Sequence, residues 1–253
     1  MVRNFLKQIF NIYAFTLFLL LMLLLFPFIV IASFWGKVKG GNVIYSICKL
    51  WGNIWCFLVG IHHINIESVP LTGKEHYIFV ANHISYMDVP VMMKAMKKHN
   101  FRILGKQEMS KIPIFGYIYR KAVVMVDRSS AKDRAESIRI LLSVLKKNIS
   151  VFIFPEGTFN ETHHPVKNFY DGAFRVAIET ETPIKPVVFL DNYDRLNYKS
   201  LLSLTPGKTR AIFLEESSTK GLAHKDIPIL KQKIFLQMEK CLIENNASWI
   251  QRS

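Results

Sequence analysis

Tyr77-Ile78-Phe79-Val80, followed after one alanine by Asn82-His83-Ile84-Ser85-Tyr86-Met87-Asp88, sets a short apolar run directly against a cluster of polar side chains. An apolar run of that length without polar alternation reads as a strand buried on both faces. The pattern recurs at Phe101-Arg102-Ile103-Leu104, Val123-Val124-Met125-Val126, Val151-Phe152-Ile153-Phe154 and Pro186-Val187-Val188-Phe189-Leu190. Helical periodicity fills the intervals. Ser130 is placed to cap a helix with Ile138, Leu141, Leu142 and Leu145 on one face, and Asp226 one with Leu230, Ile234, Met238 and Cys241. Strands alternating with helices predict an α/β fold, a mostly parallel sheet flanked by helices.

Upstream, the chain carries no charged residue between Lys7 and Lys37, and Ile12 to Phe34 is dominated by leucine, phenylalanine, isoleucine and valine. That length crosses a hydrocarbon core of roughly 30 Å as a helix, and it exceeds the roughly 7 to 15 apolar residues of a cleaved signal. A second apolar stretch, Val43 to Gly60, with Tyr45, Trp51, Trp55 and Phe57, suits a helix at the interface. Pro27 is positioned to kink the first helix, and Gly40-Gly41-Asn42 to turn the chain between the two. Residues 1–60 are therefore expected to form a membrane-anchoring helix pair, ahead of a catalytic domain at 61–253. Arg3 and Lys7 before the first helix balance Lys37 and Lys39 after it, which favours a hairpin dipping into one leaflet.

Half of the 253 residues are hydrophobic, and the mean hydropathy is +0.19. Lysine and arginine outnumber aspartate and glutamate by 33 to 19, a net charge of +14, so an anionic partner is expected. The basic residues are scattered and form no nucleic-acid-binding motif, which favours membrane lipid over nucleic acid. Lys94, Lys97 and Lys98, next to His99, are placed to touch a bilayer surface or the phosphates of a coenzyme. Cys48, Cys56 and Cys241 lack metal-ligand spacing and read as reduced packing residues. His62-His63 and His163-His164 have no ligand partners at helical spacing, so no metal is expected.

Functional groups in α/β sheets gather where strands end. A histidine there takes a proton from an alcohol at neutral pH, and a carboxylate on its other ring nitrogen fixes the tautomer. His83 and Asp88 fit these roles, but positions i and i+5 of a regular helix differ by about 140°. His83 must therefore lie in the turn before a helix, with Asp88 reaching back from its first turn. Ser85 sits in no Gly-x-Ser-x-Gly elbow and reads as a capping or hydrogen-bonding residue.

Asn-His-x-Ser-x-x-Asp at 82–88, followed about seventy residues later by Phe154-Pro155-Glu156-Gly157-Thr158, resembles the 1-acyl-sn-glycerol-3-phosphate acyltransferase family. Lys106, Glu108, Pro113 and Gly116, then Val126-Asp127-Arg128, then Pro183-Ile184-Lys185-Pro186-Val187 resemble its intermediate and later blocks, from about Ile61 to Leu190. The resemblance implies that His83 is a general base oriented by Asp88, and that the donor is an acyl-CoA or acyl carrier protein thioester attacked directly by the acceptor hydroxyl. No further cofactor is implied. It also implies that Arg128, with the Glu156-Gly157-Thr158 turn and Lys106, holds the acceptor's phosphate, with Asn82 and Ser85 beside the substrate. A guanidinium and the N–H groups of a glycine turn suit that anion.

Three positions depart from the family pattern. Phe159 stands where many members carry arginine, Tyr170-Asp171 precedes Gly172 where a lysine pair is common, and Ala122 begins the arginine block where glycine is frequent. Lys167 and Arg175 are the nearby cations that would compensate. The resemblance implies acylation of the sn-2 hydroxyl of lysophosphatidic acid to phosphatidic acid, at the cytoplasmic side of the inner membrane, where such donors reside. The alternatives are the same chemistry on another lysophospholipid or lyso-aminolipid, and a non-catalytic protein that binds anionic lipid.

Overall fold

The structure is a computed structural model and describes residues 2–67, 76–97, 99–126 and 130–251. The uncharged N-terminal stretch forms one helix, α1 (Val2–Ser33), which continues through Pro27 and is long and apolar enough to cross a membrane. Its outer face is bare: Phe5, Ile9, Leu20, Leu24, Phe28 and Ile31 are all exposed. The chain reverses earlier than Gly40-Gly41-Asn42, through a π-helical turn at Gly36–Gly40, and α2 (Gly41–Leu58) begins at Gly41. The two helices lock through aromatic contacts and one polar bond. Phe18 lies 4.4 Å from Trp51, and the Trp55 indole N–H donates to the Ala14 carbonyl at 2.8 Å.

The strands are β1 (Ile61–Glu67), β2 (Ile78–Ala81), β3 (Phe101–Lys106), β4 (Val123–Val126), β5 (Ser150–Ile153), β6 (Ile184–Phe189) and β7 (Gly207–Phe213). They form one sheet in the order β1-β7-β6-β2-β5-β3-β4. Every pairing is parallel except β6 with β7. Five strands fall where the apolar runs predicted them. β1 and β7 were not predicted. The intervening helices are α3 (Asp88–Ala95), α4 (Phe115–Ala122), α5 (Ala131–Leu145), α6 (Gly172–Glu179), α7 (Asn192–Arg195) and α8 (Ile227–Glu244).

Alternation along β2 and β5 divides the core between the two faces of the sheet. Phe79, Ala81 and Phe152 face a cluster with Ile44, Tyr45 and Trp51 of α2, Met22 and Ile29 of α1, and Met92 of α3. Ile78, Val80, Val151 and Ile153 face Leu141 and Leu145 of α5, Phe174 of α6, and Leu230, Ile234 and Met238 of α8. The apolar stripe of α2 is therefore used on α1 and the sheet. Ser130 caps α5 as expected, its hydroxyl accepting from the Asp133 N–H at 3.2 Å. Asp226 does not cap α8 with its side chain; its carboxylate instead accepts from the Ala223 N–H at 2.8 Å, closing the turn before the helix. All three cysteines are free and buried.

Arg102 joins the hairpin to the sheet. Its buried guanidinium donates to the carbonyls of Phe101, Lys37 and Val38 and to Asn42 Oδ1, and it lies 5.1 Å from the centre of the Tyr45 ring. A Cβ on Gly41 would come within 2.4 Å of that guanidinium and would displace it from these acceptors.

Candidate active site

Parallel strands deliver their C-terminal ends to one edge, and the polar residues converge there. His83 follows β2, Lys106 ends β3, Glu156 follows β5 and Asn192 follows β6. His83 lies in the turn and Asp88 is the first residue of α3, as the five-residue spacing requires. The turn is closed by the carboxylate itself. Asp88 Oδ2 accepts from the backbone N–H groups of Ile84 and Ser85 at 2.8 and 2.9 Å, and lies 2.7 Å from His83 Nδ1. Its other oxygen accepts from Asn192 Nδ2 at 2.8 Å. A fully buried carboxylate is tolerated because every contact is a donor. The Nδ1–H tautomer places the proton on the nitrogen facing Asp88 and leaves Nε2 with a lone pair. Among the described residues, Nε2 has no hydrogen-bond partner.

A second buried carboxylate holds the same turn from below. Glu156 accepts from the His83 N–H at 2.8 Å through Oε1 and from the Lys167 N–H at 3.0 Å through Oε2. Burial pushes its carboxyl up to about 8, with nearby Asp88 acting in the same direction and the two N–H donors opposing. The carbonyl of His83 accepts from the Asn160 N–H at 2.7 Å. Gly157, with φ of 78°, makes the left-handed step after Glu156.

Asn82, Ser85 and Glu156 were expected beside the substrate. The structure buries all three and uses their polar atoms within the protein. Asn82 pairs with Phe189 in both directions, donating to its carbonyl at 3.0 Å and accepting from its N–H at 2.8 Å. Ser85 accepts from the Met87 N–H at 2.8 Å, and its hydroxyl is directed at the carbonyls of Asn192 and Leu196. These contacts fix the turn; none presents a free group to a ligand.

The remaining candidates are Lys106 and Thr158, which are exposed, and Lys167, which is half-buried. Lys106 forms an exposed ion pair with Glu108 at 3.2 Å, and the Lys167 ammonium donates to the Thr158 hydroxyl at 2.6 Å. Arg128 lies outside the described residues, as do Asp127 and Lys98. Arg175 pairs with Glu179 at 2.8 Å along α6, and Asp171 receives Lys231 at 2.6 Å.

Sequence reasoning missed the aromatic walls and Asn192. The imidazole stacks on Phe154 with centroids 4.2 Å apart, and Phe159 lies 4.4 Å from it. Phe159 in turn contacts Tyr86 and Tyr198. The ring of His83 is thus held between two apolar faces, with one nitrogen anchored and the other open.

A family model described as Acyltransferase matches residues 60–190, more than half of the chain. The 1-acyl-sn-glycerol-3-phosphate acyltransferase of Cocos nucifera is 31% identical over 156 residues, covering 61% of this chain and 48% of that protein. The alpha enzyme of the same name from Mus musculus is 28% identical over 174 residues, covering 66% and 60%. The matched stretch thus spans less than two thirds of the length of these relatives. The crystal structure of the 1-acyl-sn-glycerophosphate acyltransferase of Thermotoga maritima superposes with a TM-score of 0.71 at 22% identity, covering 99% of both chains. That likeness shows a common fold, and the family match settles kinship: the chain belongs to the acyltransferase family.

Proposed function

We propose that this protein transfers a fatty acyl group from a thioester donor, acyl-CoA or acyl carrier protein, to the sn-2 hydroxyl of 1-acyl-sn-glycerol 3-phosphate, giving phosphatidic acid for phospholipid synthesis. The observation that carries it is the His83 Nδ1 to Asp88 Oδ2 contact of 2.7 Å, with Nε2 left open. Nε2 removes the proton from the acceptor hydroxyl as its oxygen attacks the thioester carbonyl. The imidazolium is stabilised by Asp88, and its proton passes to the departing thiolate, so no acyl-enzyme forms. A base positioned this way contributes roughly 10² to 10⁴ in rate. Lys106, Lys167 with Thr158, and Arg128 supply cations for the acceptor's phosphate, while Asn82, Ser85, Glu156 and Asn192 hold the turn. The bare face of α1 supports a membrane location, with residues 1–60 as anchor and 61–253 carrying the chemistry; the thioester donor, made in the cytosol, assigns the site to the cytoplasmic side of the inner membrane.

Phe159 favours a second reading, in which the acceptor is another lysolipid. Its ring lies 4.4 Å from that of His83, at the position where the resemblance implies an arginine, and with Tyr86 and Tyr198 it offers apolar surface there. The test is acyl transfer from labelled acyl-CoA in membranes containing wild type or His83→Ala, with lysophosphatidic acid and a lyso-aminolipid competing at equal concentration. Phosphatidic acid made by wild type and absent with the variant establishes the reaction and the base. Product on the competing acceptor alone moves the assignment to that lipid. Equal labelling with and without His83 defeats the mechanism.

A further inference from the structure

At the edge of the sheet opposite His83 lies an open cavity of about 360 Å³ between α2 and the end of α3, lined by Lys49, Leu50, Asn53, Lys97 and Asn100 among others. Asn100 immediately precedes β3, and its carbonyl accepts from the Ser150 N–H at the start of β5. β3 crosses the sheet in six residues, roughly 20 Å at about 3.3 Å per residue, so the cavity is remote from the catalytic turn.

Its charge is uncompensated. The Lys49 ammonium donates to the carbonyls of His99 and Lys97 at 2.8 and 3.3 Å, and Lys94 donates to Asn53 Oδ1 at 3.2 Å. Among the described residues, no carboxylate pairs with Lys49, Lys94 or Lys97 within 4.0 Å. Two lining cations, Lys49 and Lys97, with Lys94 behind Asn53, and amide side chains around a concave opening select an anion with several acceptor oxygens. The lip is apolar: Leu50 is 50% exposed, and Phe57, two turns further along the same stripe of α2, is 79% exposed. That stripe flanks the hairpin whose outer helix exposes Leu20, Leu24, Phe28 and Ile31. A cation cluster beside exposed leucine and phenylalanine matches the boundary between headgroups and acyl chains, not open water.

We infer that this cavity binds the phosphate of an anionic membrane phospholipid, as a docking site separate from the active site. The full chain in nonionic detergent is mixed with equal amounts of phosphatidylglycerol and phosphatidylcholine, and the retained lipid is counted by native mass spectrometry. The expected result is preferential retention of phosphatidylglycerol, reduced about fivefold by Lys97→Gln and by Lys49→Gln, from about 1 kcal/mol per basic residue at an anionic surface, and unchanged in His83→Ala. Lys49 also holds the segment after α3, so Lys97→Gln, whose exposed side chain has no hydrogen-bond or ion-pair partner among the described residues, is the decisive variant. Equal retention of the two lipids, retention undiminished in Lys97→Gln, or displacement by inorganic phosphate or adenosine 3′,5′-bisphosphate would overturn the assignment, the last by showing a site for a soluble anion.

Discussion

The inner and outer halves of the active site are built on opposite principles. Inside, Asp88 and Glu156 are fully buried and between them accept five protein hydrogen bonds besides the contact with the imidazole: Ile84, Ser85 and Asn192 on one, His83 N–H and Lys167 N–H on the other. Outside, Lys106, Thr158 and Lys167 touch mainly one another or Glu108, at the surface. A buried polar network is costly to break and therefore holds one geometry. Exposed ion pairs are worth little and exchange partners readily. The base is preorganised, and the groups assigned to the phosphate are free to adapt to it.

That contrast ranks the expected effects. Asp88→Asn comes first. It places an amide donor against donors and removes the tautomer control, so kcat should fall by about 10² to 10⁴ with far-ultraviolet circular dichroism retained. Asn192→Ala is next. It strips one donor from Asp88, and we expect about 1 to 3 kcal/mol lost in denaturant unfolding and roughly a tenfold drop in kcat. A variant as stable and active as wild type would show that α7 does not position the base.

Glu156→Gln should act chiefly on stability, because one of two buried N–H donors then faces an NH₂ group, at a cost of about 1 to 3 kcal/mol. Its pH dependence sharpens the point. The Glu156 carboxyl titrates at 4.5 when unfolded and about 8 when folded, raised by burial. The stability it contributes is full below pH 4.5 and is lost as pH rises through about 8. The gap between wild type and Glu156→Gln should therefore narrow from pH 5 to pH 8; a gap that widens contradicts a raised carboxyl. Smallest is Lys167→Ala, for which we expect a several-fold rise in the KM for the acceptor with kcat unchanged. A fall in kcat equal to that of Asn192→Ala would erase the distinction between the two halves.

What was legible in the sequence follows the same division between local and distant. Five strands announced themselves as apolar runs because parallel strands are covered on both faces. β1 and β7 did not. β1 is an edge strand with Ile64 and Ile66 exposed, and β7 opens with Gly207-Lys208-Thr209-Arg210, a composition that reads as loop. His83 and Asp88 are five residues apart and carry their own geometric argument. Asn192 stands 104 residues from the carboxylate it holds, and nothing near it in sequence marks it. Phe154 looks like the last residue of a strand, and only the folded chain shows it as one wall of the base. For Asn82, Ser85 and Glu156 residue type was readable and burial was not, which is why groups that build the turn resembled groups that touch the ligand.

The Arg102 clamp bears on how the protein can be handled. A truncation that begins near residue 60 would remove three of the four acceptors of a buried guanidinium and strip the cover from Phe79, Phe101 and Phe152, so it should aggregate rather than yield a soluble fragment. Extraction from the bilayer must carry the whole hairpin along, and detergent has to cover the outer face of α1 and the exposed Leu50 and Phe57 of α2.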